Sequence, residues 1–280
     1  MKEALYYIKG KDKKVICTLC PNNCVISDGE AGVCGVRKNE KGKLQALTYD
    51  MVSSIALDPI EKKPLDYFMP GTYILSVGTF GCNFKCGFCQ NWTISQERPE
   101  LENITPRALC ETAANIKKNI GIAFTYNEPS IWYEYVLETC KLNKENGLAN
   151  VLVTNGYINP GPLNELLPYV DAMNIDLKSF KPDFYRDICK GKLEPVKQTI
   201  KTSAGKCHIE LTNLSIPGLN DSIEEMDEMC AWIASIGRDI PLHLIPFRPL
   251  YKMTDLPMQT FNRLAALRNT ALFYLTRVVI

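Results

Sequence analysis

Histidine is almost missing from this chain: among 280 residues only two occur, His208 and His243, both inside apolar segments that read as strands. A centre built on imidazole has little to draw on, and each histidine reads best as a lone core residue. No nucleophile–His–acid arrangement or Gly-rich phosphate loop can be assembled, and no residue stands out as catalytic in its own right. Apolar runs are short, and none approaches the ~20 residues that span a bilayer. The net charge is +1 with 22% charged residues, so no overall field draws the chain to nucleic acid or to an anionic membrane. The first ten residues carry an early acid and one short apolar patch, unlike a secretory leader, so a cytoplasmic location is expected. Internal repeats and low-complexity segments are lacking too.

Cysteine is what the chain has in quantity, twelve in all. In a reducing compartment such a number points to metal before disulfides. Cys110, Cys140, Cys189, Cys207 and Cys230 are scattered singly and read as small buried apolar residues. Cys82, Cys86 and Cys89 stand in Gly81-Cys-Asn-Phe-Lys-Cys-Gly-Phe-Cys-Gln-Asn91, directly after an apolar strand. A cube of four irons is normally held by four thiolates; three in one tight loop hold three irons and leave the fourth open to a small molecule. A zinc loop or chance spacing is the plainer alternative. Cys17, Cys20 and Cys24, with Cys34 ten positions on, give four more thiols at metal-ligand spacing. Zinc would close a tetrahedral shell there; an iron–sulfur cluster would be satisfied equally. Sequence does not separate the two.

The length suits one (β/α)-barrel-sized unit with a small appendage. Strands are expected over Ile74–Val77, Ile122–Thr125, Val151–Thr154, Ala172–Asp176, His208–Thr212 and Leu242–Pro246, with helical patterns between them. Thr105-Pro106, an N-cap followed by proline, opens a helix over 107–118. Pro129 opens a second that Gly147 closes. Asp221-Ser222, followed by Glu224 and Glu225, starts a third that ends at Gly237, its acids suiting the positive end of the helix. Six such units imply parallel strands with crossover helices. The expected fold is therefore α/β, a partial (β/α)6 TIM-type barrel, although a doubly wound sheet shares that periodicity. The stretch 271–280 offers a seventh strand. Residues 1–70 have another texture, a four-Cys segment with a hairpin over 44–57, so the division expected is 1–70 and 71–280.

The C-x3-C-x2-C spacing after a strand resembles the signature of the radical S-adenosylmethionine (radical SAM) superfamily. The resemblance implies a [4Fe-4S] cluster at Cys82, Cys86 and Cys89, with S-adenosylmethionine on the open iron. Reductive cleavage of that cofactor would release a 5′-deoxyadenosyl radical. In a parallel barrel the chemistry sits past the C-terminal ends of the strands, and the candidates there can be matched to the cofactor. Glu128, in Thr125-Tyr-Asn-Glu-Pro129, stands where the superfamily has a Gly-Gly-Glu element receiving the amino end; here Tyr126 and Asn127 replace the glycines. Helix capping is the alternative for Glu128. Asp176 and Lys178 alternate along an extended segment and can face one side, the acid for ribose hydroxyls and the lysine for the carboxylate; a simple ion pair is the alternative. Asn155 resembles the third-strand element of glycyl-radical activating enzymes. Ile216 and Phe88 offer adenine a shelf, or only packing. Arg248 stands where the activating enzymes often carry a histidine, so that contact is not carried over.

Together with Cys17-x2-Cys20-Pro-x2-Cys24, Asp58-Pro-Ile-Glu-Lys-Lys-Pro64, Gly78-Thr-Phe-Gly-Cys82 and Tyr251-Lys-Met-Thr-Asp255, these elements resemble one branch, the AmmeMemoRadiSam-system radical SAM proteins. Those are similar to pyruvate formate-lyase activating enzymes. Members of that branch run on past the length seen here, which leaves closure of the barrel edge open. The leading expectation is hydrogen abstraction from a protein or peptide, with a reductant such as ferredoxin or flavodoxin. Radical modification of a small molecule or an RNA nucleoside, and a non-catalytic metal scaffold, are the alternatives.

Overall fold

Each apolar segment from residue 73 onward becomes a strand, and the strands lie side by side in the order in which the chain makes them. The computed structural model describes residues 2–280. Its main sheet holds β1 (Ser54–Pro59), β2 (Tyr73–Gly78), β3 (Asn119–Phe124), β4 (Ala149–Thr154), β5 (Ala172–Asp176), β6 (His208–Ser215), β7 (Leu242–Pro246) and β8 (Val278–Val279). From β2 to β8 every pairing is parallel, while β1 joins β2 antiparallel. Helices α1 (Pro106–Asn115), α2 (Tyr133–Glu145), α3 (Pro160–Leu166), α4 (Leu193–Ser203), α5 (Ile223–Ile236) and α6 (Phe261–Ala271) cross between the parallel strands. A doubly wound sheet reverses its strand order at a switch point; this order never reverses, so the architecture is of the partial-barrel kind. β1 and β8 are the two edges, and among the described residues they do not pair with each other.

Local chemistry sets the helix ends. The Thr105 side chain accepts from the Ala108 N–H with proline in the first turn, and Ser222 accepts from Glu225 N–H. The helix expected over 107–118 stops at Asn115, because Ile116 turns extended and the Asn119 side chain donates to Ala113 O at 2.8 Å. The helix after Pro129 begins as a 3-10 turn over Pro129–Trp132 and becomes α-helical only at Tyr133.

One expectation fails and another is met in shortened form. The stretch 44–57 is no hairpin: Lys43–Ala46 pairs with Arg37–Glu40 and Lys2–Glu3 in a small separate sheet, whereas Ser54–Pro59 belongs to the main one. Two strands of different sheets produce the same alternation as one folded ribbon. The seventh strand expected within 271–280 is present at the sheet edge, shortened to Val278–Val279 because α6 reaches Ala271. The four-cysteine segment rests on the flank of the barrel. Leu5 N–H donates to Glu134 at 2.7 Å, Tyr6 Oη to Glu165 at 2.5 Å, and Asn159 Nδ2 to Thr18 O at 2.8 Å.

The histidines are not lone. Both bind Glu210 on β6, His208 at 2.9 Å and His243 at 2.7 Å, and the carboxylate also accepts from the Asp66 and Tyr67 amides. Burial opposes the charge, but the two imidazoles and the Tyr67 N–H outweigh it and hold the Glu210 pKa at about 2. The segment before β2 is thereby anchored to β6.

Candidate active site

The Cys82, Cys86 and Cys89 loop leaves β2 and turns over the strand ends, where it borders a cavity of ≈ 390 Å³. Glycine is required at its entry. An added Cβ on Gly78 would stand 2.6 Å from Thr125 O, and one on Gly81, at φ +88, 2.6 Å from Cys34 O. Side-chain amides brace the loop. Asn127 accepts from Thr79 N–H at 3.1 Å and donates to Gly81 O at 3.0 Å; Asn83 donates to Tyr157 O at 2.8 Å. Phe84 N–H points at Cys82 Sγ at 3.4 Å, and the Ser95 hydroxyl lies 3.1 Å from Cys89 Sγ.

Burial pushes the Cys82 and Cys89 thiols up, and the neighbouring Cys189, together with burial, does the same to Cys86. Thiols held this way ionise by binding metal rather than by releasing protons to water. Their donors, Phe84 N–H and Ser95 Oγ, are of the kind that stabilise metal-bound sulfur. The loop fits an iron–sulfur cluster.

Glu128, Asn155, Asp176, Lys178 and Phe88 all border the same cavity. Glu128 is buried and already engaged: it accepts from Ser130 N–H at 2.9 Å, Thr154 Oγ1 at 2.7 Å and Asn155 N–H at 2.7 Å. It caps the turn after β3 and fastens that turn to the end of β4. Burial raises its pKa. Asn155 reaches the cluster loop, donating to Asn83 Oδ1 at 2.8 Å and lying 3.7 Å from Cys82 Sγ. Lys178 donates to Asp176 at 2.8 Å with its Nζ 5.7 Å from the Phe88 ring centre. Burial would discharge this lysine, but Asp176 and the nearby Cys86 and Cys189 raise its pKa well above the ordinary value.

Ile216 is not on the cavity wall. Thr212 and Leu214 face the cavity with the two-residue period of β6, but the strand ends at Ser215, and Ile216 sinks into the core. Ile245 of β7 completes that apolar side. Arg248 is exposed and does not border the cavity.

Sequence reading missed a polar wall opposite. The 3-10 turn over Ile60–Lys62 folds Lys63 back onto Asp58 at 2.8 Å, and Tyr126 Oη donates to the same carboxylate at 2.9 Å. Tyr126 has φ 70, a left-handed conformation that glycine adopts most easily. The departure from Gly-Gly-Glu thus puts a tyrosine in a left-handed conformation and adds a phenol bound to Asp58. The run from Asp58 to Pro64 carried that signal, but its partner lies on another strand.

A loop of three thiols over the mouth of a partial parallel barrel, beside a cavity with a charged lysine and an acid, defines a cofactor-dependent enzyme. The sequence profile of the Radical SAM superfamily matches residues 76–233, and the chain belongs to that superfamily. It therefore works with a [4Fe-4S] cluster and S-adenosylmethionine. Among relatives, Uncharacterized protein MJ0808 of Methanocaldococcus jannaschii is 45% identical over 278 residues, covering 97% of this chain and 82% of that one. Pyruvate formate-lyase-activating enzyme of Clostridium pasteurianum is 25% identical over 177 residues, 61% of this chain and 73% of that one. Among solved structures, TYW1 with a lysine-pyruvate adduct bound shares the fold with a TM-score of 0.53 at 18% identity, over 79% of this chain and 84% of that one. No helix among the described residues is long and apolar enough to cross a membrane.

Proposed function

We propose that this enzyme takes a hydrogen atom from a protein or peptide, in the manner of an activating enzyme, with Cys82, Cys86 and Cys89 holding the cluster. When bound there, S-adenosylmethionine supplies a 5′-deoxyadenosyl radical after one-electron reduction. The protein's part is placement. Lys178 offers its ammonium to the cofactor carboxylate, Asp176 takes ribose hydroxyls, and Phe88 with Leu214 and Ile245 gives the adenosyl group an apolar bed. Glu128 and Asn155 hold the end of β4 against the cluster loop and set the distance between them.

The observation that carries the reading is the cavity itself. A space of ≈ 390 Å³ is near the lower end of the ~300–1,000 Å³ that small-ligand pockets occupy. The cofactor takes up most of such a space, so a substrate has to come in through the mouth, which lies on a sheet whose two edge strands do not pair among the described residues. The relatives named as activating enzymes support a glycine-bearing protein segment as the occupant. A low-potential donor of the ferredoxin or flavodoxin class would supply the electron.

Anaerobic reconstitution, reduction and an assay for 5′-deoxyadenosine tests the chemistry, with Cys86→Ala expected to give none. Candidate proteins deuterated at glycine Cα then test the substrate. Deuterium is expected in 5′-deoxyadenosine; label arriving only from small molecules or RNA would overturn the protein reading.

A further inference from the structure

The four N-terminal cysteines stand around a second cavity, and its size limits what it can hold. Cys17, Cys20, Cys24, Cys34 and Arg37 border a space of ≈ 10 Å³. A space of ~10–15 Å³ takes about one water molecule. Several irons and sulfides do not fit in it; a single ion does. Buried Leu19, Ile26 and Ile131 complete the wall and shut out water.

The chain turns sharply at these cysteines. Cys17 ends the strand Val15–Cys17, and its N–H donates to Cys24 O at 3.0 Å. Asn23, at φ 43, and Gly35, at φ 79, take left-handed conformations. The amide of Asn22 faces Cys20, and those of Val36 and Arg37 face Cys34. Successive N–H groups in such turns form a concavity that favours an anion, here a thiolate. Arg37 is 1% exposed. Its Nη1 binds both Glu134 oxygens, at 2.9 and 3.1 Å, and its Nη2 donates to Leu5 O. Its Nε–H has no partner, which is costly for a buried N–H and uncommon.

We propose that Cys17, Cys20, Cys24 and Cys34 bind one zinc ion, and that Arg37 Nε–H donates a hydrogen bond to one of the four thiolates. Four thiolates close the tetrahedral shell of zinc, and a donor behind a ligand fixes and tunes it. A lone divalent iron would suit the same space, but such a site binds zinc the more tightly of the two. The strands around it are short, Tyr7–Lys9, Val15–Cys17 and Val25–Ile26, and the binding energy of a structural zinc is folding energy for such a segment. With its shell full, the ion offers S-adenosylmethionine and substrate no position. Its part is to back the loop of Cys82, Cys86 and Cys89: Asn22 donates to Asn83 O at 3.0 Å, and a Cβ on Gly81 would stand 2.6 Å from Cys34 O. The proposal does not depend on the substrate of the enzyme.

X-ray absorption at the zinc edge reads zinc apart from iron, so the full wild-type chain serves with its iron–sulfur cluster in place. Purified anaerobically from cells supplied with zinc, it is expected to carry one zinc per chain, with four sulfurs at ~2.3 Å and no nitrogen or oxygen ligand. Cys20→Ser with Cys34→Ser should lose that zinc. A chain without zinc, or zinc on nitrogen or oxygen, overturns the assignment. So do iron and labile sulfide that persist when Cys82, Cys86 and Cys89 are all changed to Ala. In that same background, cobalt in place of zinc reports the sulfur donors through its thiolate charge-transfer band. Arg37→Lys keeps the charge beside Glu134 and removes the Nε donor. It should shift the band to lower energy and weaken zinc binding roughly 10- to 100-fold, read by competition with a chelator. If that variant melts early, Arg37→Gln with Glu134→Gln removes both charges together and is read the same way. An unchanged band and affinity in the folded variant overturn the hydrogen bond.

Discussion

Lys178 and Glu128 border the same cavity under opposite conditions. The lysine stays charged because Asp176 and the neighbouring thiols outweigh its burial, whereas the carboxyl of Glu128 is raised by burial despite its donors. A lysine bonded to a carboxylate contributes ~1.5–3 kcal/mol, so Lys178→Met is expected to weaken S-adenosylmethionine binding roughly 10- to 100-fold in a chain that still folds, with some stability lost because Asp176 is left unpaired. Equilibrium dialysis on the reconstituted enzyme checks it, and unaltered affinity would remove Lys178 from the cofactor site. Glu128→Gln should act on the fold instead. The amide has one oxygen to serve three donors and turns an NH2 toward one of them. A loss of about 1–3 kcal/mol is expected in urea unfolding; a stable variant would show that these bonds are dispensable. Sequence placed both residues at strand ends but gave no account of who binds Glu128, because Thr154 and Asn155 come from the next strand.

At the level of elements, what the sequence displayed best was whatever is local: apolar runs, the cap at Thr105, the proline starts. It failed where pairing is remote. Residues 44–57 alternate properly, yet the two halves pair with different partners. Ile216 continues the period of β6 one step beyond the point where hydrogen bonding stops. The β3–β4 contact offers a test of close packing. A Cβ on Gly121 would stand 1.9 Å from Ala149 O, a backbone atom that cannot yield without parting the strands, while one on Gly205, at φ +78, meets nothing within 4 Å. Gly205→Ala should cost only the ~1–2 kcal/mol of a left-handed residue. Gly121→Ala should cost clearly more, and equal unfolding midpoints for the two would contradict the close approach. Thr105→Ala removes a cap seen both in sequence and in structure and should cost about 1 kcal/mol.

For the whole molecule, the Glu210 pair with His208 and His243 ties the segment before β2 to two strands, and its ionisation becomes a property of the fold. In an unfolded chain a glutamate titrates near ~4.3; here it titrates at about 2. A depressed carboxyl contributes stability that is fully present above the unfolded value and is lost as pH falls through the folded one. Stability should therefore decline from about pH 4.3 toward pH 2, and Glu210→Gln should flatten that decline whatever it does to stability at neutral pH. Urea unfolding at pH 5 and pH 2.5 gives the two slopes; parallel slopes would assign acid sensitivity elsewhere. None of this triad was legible beforehand, because each histidine meets its acid only across or along the assembled sheet.

The seating of the N-terminal segment has a consequence for how the protein is made. Its anchors on the barrel, Glu134, Asn159 and Glu165, lie 129 to 159 positions later than Leu5, Thr18 and Tyr6, the groups they hold. At ~5–20 residues per second of synthesis, four thiols would leave the ribosome on the order of ten seconds before the surface that shelters them exists. During that interval they are open to oxidation and to whatever metal is free. The state in which these cysteines reach the finished fold then depends on the order of synthesis as well as on their final surroundings.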